Sequence, residues 1–221
     1  MSFWTSRLMR ELRPGVAATL SQTEPYLRAW AEANERARAA TGPLWVALGD
    51  STAQGIGASA YDRGYVGQLR GRLEARDGRD WRVINLSRTG SRIRDVVAEQ
   101  LPGLASLATE AELVTCAAGA NDLLSLWFRP VPDQLRALMS GLPPGAVIAT
   151  LPRGLGRRRA RRLNDIICTE APLRRLRIAD VCAHTGPPWK GKFASDDFHP
   201  NEIGYRDWCD AFAEAVGVPV A

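Results

Sequence analysis

Short apolar segments alternate along the chain with longer segments in which apolar residues recur every three or four positions. Five short segments have the length and composition of buried strands: residues 44–48, 81–86, 113–117, 146–151 and 176–181. Six longer segments predict amphipathic helices: residues 24–40, 65–76, 93–101, 132–139, 157–169 and 201–216. This alternation is typical of an α/β fold with a parallel sheet.

The predicted sheet indicates where functional residues should lie. Right-handed crossovers place the carboxyl ends of parallel strands at one edge, and ligands bind in the crevice along that edge. The residues that directly follow each predicted strand are therefore the candidates for a functional site. The longest stretch without a predicted element, residues 182–195, follows the last strand, and a loop of that length often has a function.

Ser51 follows the first predicted strand, in the sequence Gly49-Asp50-Ser51. A glycine before a serine permits a sharp turn, which presents the hydroxyl group beside unpaired backbone N–H groups. This placement suits a nucleophile. A phosphate-binding turn and an ordinary structural turn have a similar composition, so Ser51 alone does not decide among the three.

A serine nucleophile needs a base to accept its proton, and the chain contains two histidines. His199 lies three residues after Asp196, so that the carboxylate can accept a hydrogen bond from imidazole Nδ1 and leave Nε2 facing the serine. For His184 we expect no acidic partner at short spacing. The simpler interpretation of the same turn is a helix start, with Asp196 or Asp197 as the cap of the last helix.

Two further turns carry groups suited to stabilising an oxyanion. Asn121 follows the third predicted strand, where its amide can donate a hydrogen bond into the crevice. Gly90 follows the second strand, where its backbone N–H can donate to the same oxygen. Each turn alone is compatible with a structural role, but all four turns follow predicted strands at one edge of one sheet.

In this order, Gly-Asp-Ser, a glycine after the second strand, Gly-x-Asn-Asp and Asp-x-x-His-Pro resemble the four signature blocks of the SGNH or GDSL-like hydrolases. The resemblance spans residues 45–203. It implies a flavodoxin-like, three-layer α/β/α sandwich with a five-stranded parallel sheet, and a serine esterase that uses no cofactor and no metal. It also implies a Ser51, His199 and Asp196 triad, with an oxyanion hole formed by the backbone amides of Ser51 and Gly90 and the side chain of Asn121.

The four blocks do not distinguish among the substrates of the family, which include simple esters, acetylated sugars, acyl thioesters and lysophospholipids. We expect a small-molecule ester with a short acyl group; an acyl thioester or a lysophospholipid is the alternative at the same site. Asp50, Trp127 and Phe128 are candidate substrate-binding residues, although core packing is the simpler role for the aromatic pair. Thr52 stands where the family often has leucine, a change that many members share.

Composition and cysteine spacing change this interpretation little. The 221 residues, 45% of them hydrophobic, predict a single hydrolase domain at residues 24–221 after an N-terminal extension at residues 1–23. The four cysteines are too widely spaced for a zinc site, and we interpret them as buried free thiols of a reducing compartment. No apolar segment is long enough for a secretory signal or a membrane span, which predicts a cytoplasmic protein.

Basic residues suggest alternatives of another class. The formal net charge is +5, and six arginines lie within the ten residues from Arg153 to Arg162. This cluster suggests a module that binds acidic lipid or nucleic acid, nucleic acid being less favoured, or a site for an anionic substrate; a solvated helix face is the simpler interpretation. Residues 1–13 mix apolar residues with arginines, which suggests a basic amphipathic helix on a membrane surface, with packing or disorder as alternatives.

Overall fold

A computed structural model describes residues 14–154 and 156–219, and its centre is a five-stranded parallel sheet with the order β2-β1-β3-β4-β5. The strands are β1 (Leu44–Gly49), β2 (Arg82–Asn85), β3 (Ala111–Ala117), β4 (Val147–Ala149) and β5 (Arg177–Ala179). All five predicted strands are confirmed. The last two are half as long as predicted, because each pairs over only three residues.

Helices connect the strands. They are α1 (Pro14–Leu20), α2 (Thr23–Ala39), α3 (Tyr65–Asp77), α4 (Ile93–Asp95), α5 (Leu101–Ala105), α6 (Ala120–Leu123), α7 (Val131–Gly141), α8 (Arg157–Glu170), α9 (Val181–His184) and α10 (Glu202–Ala215). A wider π-helical turn, Val96–Gln100, separates α4 from α5, so the predicted helix at residues 93–101 is a composite. Helix α9 also occupies the first part of the stretch in which the sequence predicted no element.

The sheet has a hydrophobic layer on each face, because residues of a strand point alternately to opposite sides. Trp45 and Ala47 of β1 join the cluster that contains side chains of α3 and α10, whereas Leu44, Val46 and Leu48 join the cluster with side chains of α7 and α8. The chain therefore forms the three-layer α/β/α sandwich that the family resemblance implied.

The edge of the sheet at β2 is covered by α2. The side-chain amide of Asn34 accepts a hydrogen bond from the backbone N–H of Asn85 at 2.8 Å and donates one to the Asn85 carbonyl at 2.9 Å. An uncovered edge strand would leave these groups available to another chain. One asparagine thus satisfies the outward-facing N–H and C=O groups of Asn85.

The N-terminal region enters the described structure at α1. This helix buries Val16 and Thr19, and Thr19 Oγ1 lies 3.3 Å from Ser195 Oγ in the loop before α10. The predicted amphipathic helix at residues 1–13 lies outside the described residues. Among the described residues, no helix is both long and apolar enough to cross a membrane.

The four cysteines are free thiols, as predicted. Cys116 and Cys209 are buried, and Cys182 is partly buried. The prediction of burial is wrong for Cys168, which is exposed because it lies on the solvent side of α8.

Candidate active site

The chain turns sharply at Gly49, where β1 ends. The backbone φ of Gly49 is +145°, and a Cβ atom at this position would lie 2.1 Å from the carbonyl oxygen of Ala117. Only glycine fits such an approach. The turn places Ser51 at the carboxyl edge of the sheet, where its side chain is almost completely buried.

Ser51, His199 and Asp196 form one hydrogen-bonded row. His199 Nε2 lies 3.0 Å from Ser51 Oγ, and His199 Nδ1 lies 2.5 Å from Asp196 Oδ2. A carboxylate only accepts hydrogen bonds, so Nδ1 carries the proton that it donates to Asp196, and Nε2 accepts the hydroxyl hydrogen of Ser51. All three residues are less than 10% exposed, which shields these contacts from water.

Backbone groups hold the Asp196 carboxylate in place. Its Oδ1 accepts hydrogen bonds from the backbone N–H groups of Phe198 at 3.1 Å and His199 at 3.0 Å. Burial alone would raise the pKa of Asp196, but its hydrogen bonds with the His199 side chain and these N–H groups hold the pKa below its usual range. The carboxylate is therefore ionised and can stabilise a positive charge on the imidazole.

The simpler interpretation of this turn, a helix cap at Asp196 or Asp197, is wrong. Asn201 caps α10, since its side chain accepts hydrogen bonds from the backbone N–H groups of Ile203 and Gly204. The side chain of Asp196 is thus left to bind His199.

Asn121 lies in the first turn of α6, directly after β3. Its Nδ2 donates to the Ser91 carbonyl at 3.0 Å, and the neighbouring Asp122 Oδ2 accepts from the Ile93 N–H at 2.9 Å. These two bonds connect the end of β3 with the segment that follows Gly90. Gly90 itself adopts a left-handed φ of +82° and is exposed.

A cavity of about 290 Å³ opens beside Ser51, Asn121 and His199. Its walls are mainly apolar and come from the ends of β3 and β4, the loop before α10, and α10 itself: Leu123, Pro152, Trp189, Phe193, Phe198 and Trp208. Four charged side chains also line it: Arg153, Asp197, and the ion pair of Lys192 Nζ with Asp207 Oδ2 at 2.7 Å. Gly90 is not among the described residues that line the cavity.

The three candidate substrate-binding residues lie elsewhere. Asp50 is buried behind Ser51, where its Oδ1 accepts hydrogen bonds from the N–H and hydroxyl groups of Thr52, and burial raises its pKa. Trp127 is 82% exposed, and the ring of Phe128 packs 4.9 Å below the guanidinium of Arg159. None of the three lines the cavity.

The sequence did not identify the aromatic walls formed by Trp189, Phe193 and Trp208. The one available signal was the long stretch at residues 182–195, which contains the first two. His184 lies at the start of that stretch, in α9, and its Nε2 is 3.2 Å from Glu214 Oε2. This acidic partner lies 30 residues away in the sequence, so inspection of near neighbours missed it. Among the described residues, no cluster of three histidine, cysteine or acidic side chains is arranged to hold a metal ion.

Comparison with solved structures gives chains of the same fold. The lipase Lip_vut3 from a goat rumen metagenome has a TM-score of 0.68 and 16% identity, covering 81% of this chain and 100% of its own. The acetylxylan esterase Axe2 from Geobacillus stearothermophilus has a TM-score of 0.65 and 21% identity, with coverages of 82% and 97%. TesA has a TM-score of 0.64 and 23% identity, with coverages of 78% and 97%.

A search of curated proteins gives no significant match. The model of the GDSL-like Lipase/Acylhydrolase family matches residues 47–206, which is most of the chain and includes the Ser51, Asn121 and His199 segments. With the fold shared by the solved esterase and lipase structures, this match shows that the chain belongs to the GDSL-like lipase/acylhydrolase family and is a carboxylic ester hydrolase.

Proposed function

We propose that the protein hydrolyses small carboxylic esters through an acyl-enzyme intermediate on Ser51. The observation that carries this proposal is the row of hydrogen bonds from Ser51 through His199 to Asp196. A serine hydroxyl becomes a competent nucleophile when an oriented base accepts its proton. The row supplies that base and the carboxylate that orients it.

In the first step, Ser51 Oγ attacks the ester carbonyl carbon while His199 Nε2 accepts the hydroxyl proton. Asp196 stabilises the resulting imidazolium. The tetrahedral intermediate then collapses, and His199 donates its proton to the departing alkoxide. In the second step, His199 accepts a proton from water as the water oxygen attacks the acyl carbon. Collapse of the second intermediate breaks its bond to Ser51 Oγ, which takes the proton back and releases the carboxylic acid.

We assign oxyanion stabilisation to the backbone N–H groups of Ser51 and Gly90 and the side-chain amide of Asn121. The position of Asn121 in the wall of the cavity beside Ser51 supports its part in this assignment. Gly90 is connected to the same region through the bond from Asn121 to Ser91. Its flexible φ allows its N–H group to turn toward a bound substrate.

We propose a short apolar acyl group as the preferred substrate moiety. The cavity volume of about 290 Å³ lies at the small end of the range for ligand sites, and its walls are mainly apolar. The exposed Arg153 at the same cavity favours a second candidate, an ester or thioester whose leaving group carries a negative charge.

A fluorophosphonate probe tests the nucleophile, since it reacts with activated serines. We expect native protein to be labelled and Ser51→Ala to be unlabelled, because the hydroxyl that forms the covalent bond is absent. Ser106→Ala is the matched control: this serine is exposed and its hydroxyl donates only to the Gly103 carbonyl within the described structure, so labelling should persist. Labelling of Ser51→Ala at the native rate contradicts the assignment.

The acyl preference is tested with p-nitrophenyl esters and acyl thioesters of increasing chain length, assayed beside Ser51→Ala. We expect kcat/KM to be highest for short esters and to fall once the acyl chain exceeds the cavity. A maximum with long-chain thioesters identifies the thioester alternative, and turnover of a lysophospholipid assayed alongside identifies the other one. Equal turnover by Ser51→Ala means that the hydrolysis belongs to another site.

A further inference from the structure

Two large apolar side chains close to the cavity are exposed to solvent. Leu126 is 94% exposed and Trp127 is 82% exposed, and Leu124 beside them is 39% exposed. They form the tip of the loop between α6 and α7, which we call the apolar tip. Contiguous apolar side chains this exposed mark surfaces that contact a protein or a membrane. The tip is not needed for the cavity, because none of the three residues lines it.

A basic surface lies on α8 near the apolar tip. It consists of Arg157, Arg158, Arg161 and Arg162, which are all exposed, and we call it the basic face. Within the described structure, none of these four guanidinium groups has a carboxylate at ion-pair distance, although Asp165 and Glu170 line the groove beside Arg158, Arg161 and Arg162. Among the described residues, most of the other arginines are paired with carboxylates; for example, Arg136 and Arg174 both bind Glu170. The four arginines of the basic face are therefore free of direct ion pairs, and the face carries a net positive charge.

Arg159 joins the apolar tip to the basic face. Its Nη1 donates hydrogen bonds to the carbonyl oxygens of Leu123 at 2.8 Å and Ser125 at 2.7 Å, on the chain segment that bears the tip. Its guanidinium also packs on the ring of Phe128, which follows the tip. The loop is thus attached to the first turn of α8, and Leu123 together with Arg153 also lines the cavity.

We propose that the apolar tip and the basic face together form a docking surface for anionic phospholipid bilayers. Leucine and tryptophan partition into the interfacial layer of a bilayer, and arginines beside them bind the anionic head groups. A nucleic acid would account for the arginines but not for the exposed Leu126, so the combination favours lipid. Docking needs no turnover, so the inference goes beyond the proposed function. Docking through this surface would place the mouth of the cavity beside the membrane, because Leu123 next to the apolar tip lines the cavity.

Sedimentation of the full chain with vesicles tests this surface. We expect binding to phosphatidylcholine vesicles that contain phosphatidylserine, little binding to pure phosphatidylcholine, and loss of binding at high salt because salt screens the arginines. Replacing Arg158, Arg161 and Arg162 together by glutamine should weaken binding about fivefold for each arginine, or on the order of a hundredfold. The matched control replaces Arg28, Arg36 and Arg38 of α2 by glutamine, which removes the same charge from another surface and should change binding far less.

A second variant separates insertion from simple charge attraction. Leu126→Ser with Trp127→Ser should weaken binding on the order of tenfold or more, because apolar area that the bilayer buries is lost. Brominated lipids should quench native tryptophan fluorescence, and the quenching should fall in Trp127→Phe. All replaced side chains are solvent-exposed, and thermal unfolding checks that the variants fold.

The proposal is overturned if anionic vesicles do not bind the protein, or if binding is unchanged in both the arginine and the Leu126/Trp127 variants. If the arginine variant weakens vesicle binding but brominated lipids do not quench Trp127, the apolar tip is not part of the docking surface, and the proposal is overturned. Binding to DNA but not to vesicles assigns the basic face to nucleic acid. None of these outcomes depends on ester hydrolysis, so failure here and failure of the proposed function are distinguishable.

Discussion

At the scale of single residues, the side-chain amide of Asn121 has two N–H groups, which can donate to different acceptors. One donates to the Ser91 carbonyl, the acceptor that the described structure provides. In our proposal, the other N–H group donates to the substrate oxygen in the cavity that Asn121 and Ser51 both line. An oxyanion donor acts on the charge that develops in the transition state, so its loss lowers kcat more than it raises KM.

We expect Asn121→Ala to lower kcat about 10²-fold to 10³-fold on a p-nitrophenyl ester, with a smaller change in KM. Steady-state kinetics measures both constants. Asn164→Ala is the control, since Asn164 forms two hydrogen bonds with the backbone of Leu151 at the end of β4 and touches no substrate oxygen in our proposal. It should lower thermal stability but change kcat far less. Similar kinetic losses in both variants contradict a specific role for Asn121.

The residue pairs that sequence inspection predicted are those close together in the chain. A carboxylate three residues before a histidine returns to it within one turn, so the contact of Asp196 with His199 follows from local spacing. The approach of His199 to Ser51 spans 148 residues and rested on the resemblance and on the parallel-sheet topology. Their catalytic roles remain predictions. Pairs such as His184 with Glu214 depend on packing alone, and nothing in the local sequence indicates them.

At the scale of elements, the π-helical turn Val96–Gln100 explains how the Ser51 turn is held. Gln100 is buried, and its side chain accepts a hydrogen bond from the Gly49 N–H at 2.9 Å and donates one to the Gly49 carbonyl at 2.8 Å. The wide turn thus brings one amide onto the end of β1, where the chain bends toward Ser51. Such turns inside helices occur often at functional sites.

We expect Gln100→Ala to lower the free energy of unfolding by about 2–4 kcal/mol, because the buried Gly49 N–H loses its hydrogen-bond partner and the Gly49 carbonyl keeps only a longer bond, from the Arg88 N–H at 3.3 Å. Urea unfolding measures the change. Gln134→Ala on α7 is the control: its side chain is partly exposed and forms no hydrogen bond within the described structure, so the loss should stay below about 0.5 kcal/mol. Equal losses in the two variants would mean that the bonds to Gly49 contribute nothing.

The apolar pattern predicted the strands and most helices because their periodicity reflects which side chains are buried. It did not predict where the helix after β2 changes its hydrogen-bond pattern, since this depends on the fit of Gln100 to Gly49. It also gave β4 and β5 too many residues. Apolar residues continue past the last ladder pair of β4, and Leu151 for example is buried without being paired in the sheet.

At the scale of the whole molecule, the topology brings the loops after all five strands to one edge, and this much follows from the alternation of strands and helices. The shape of the cavity does not follow from it. Its aromatic wall depends on the loop before α10, which is fixed by backbone hydrogen bonds from Ala194 to His199 and from Asn201 to Lys192. Such contacts leave no periodic signal in the sequence.

The same edge concentrates buried acidic groups, and Asp122 shows how this affects stability. Burial raises the pKa of Asp122 to about 6, against the hydrogen bond from Ile93 and the charge of Arg92, while Asp50 and Asp95 raise it further. The folded protein therefore binds a proton more tightly than the unfolded chain, whose carboxyl has a pKa of 3.8. Between pH 4 and pH 6 the ionisation of Asp122 must lower stability as the pH rises.

We expect Asp122→Asn to remove this part of the pH dependence, because its amide oxygen still accepts the Ile93 N–H but cannot ionise. Relative to the native protein, the variant should gain stability from about pH 4 to about pH 6, by up to about 3 kcal/mol, and the gain should then stay constant. Urea unfolding across this pH range measures the difference in free energy of unfolding between the variant and the native protein. The contributions of Asp50 and the other carboxyl groups are the same in both proteins and cancel in this difference. Asp133→Asn at an exposed position of α7 should run parallel to the native profile. If the stability profile of Asp122→Asn also runs parallel to the native profile, the pKa of Asp122 is ordinary. The ionisation of Asp122, whose carboxylate bonds the Ile93 N–H, then does not destabilise the folded protein.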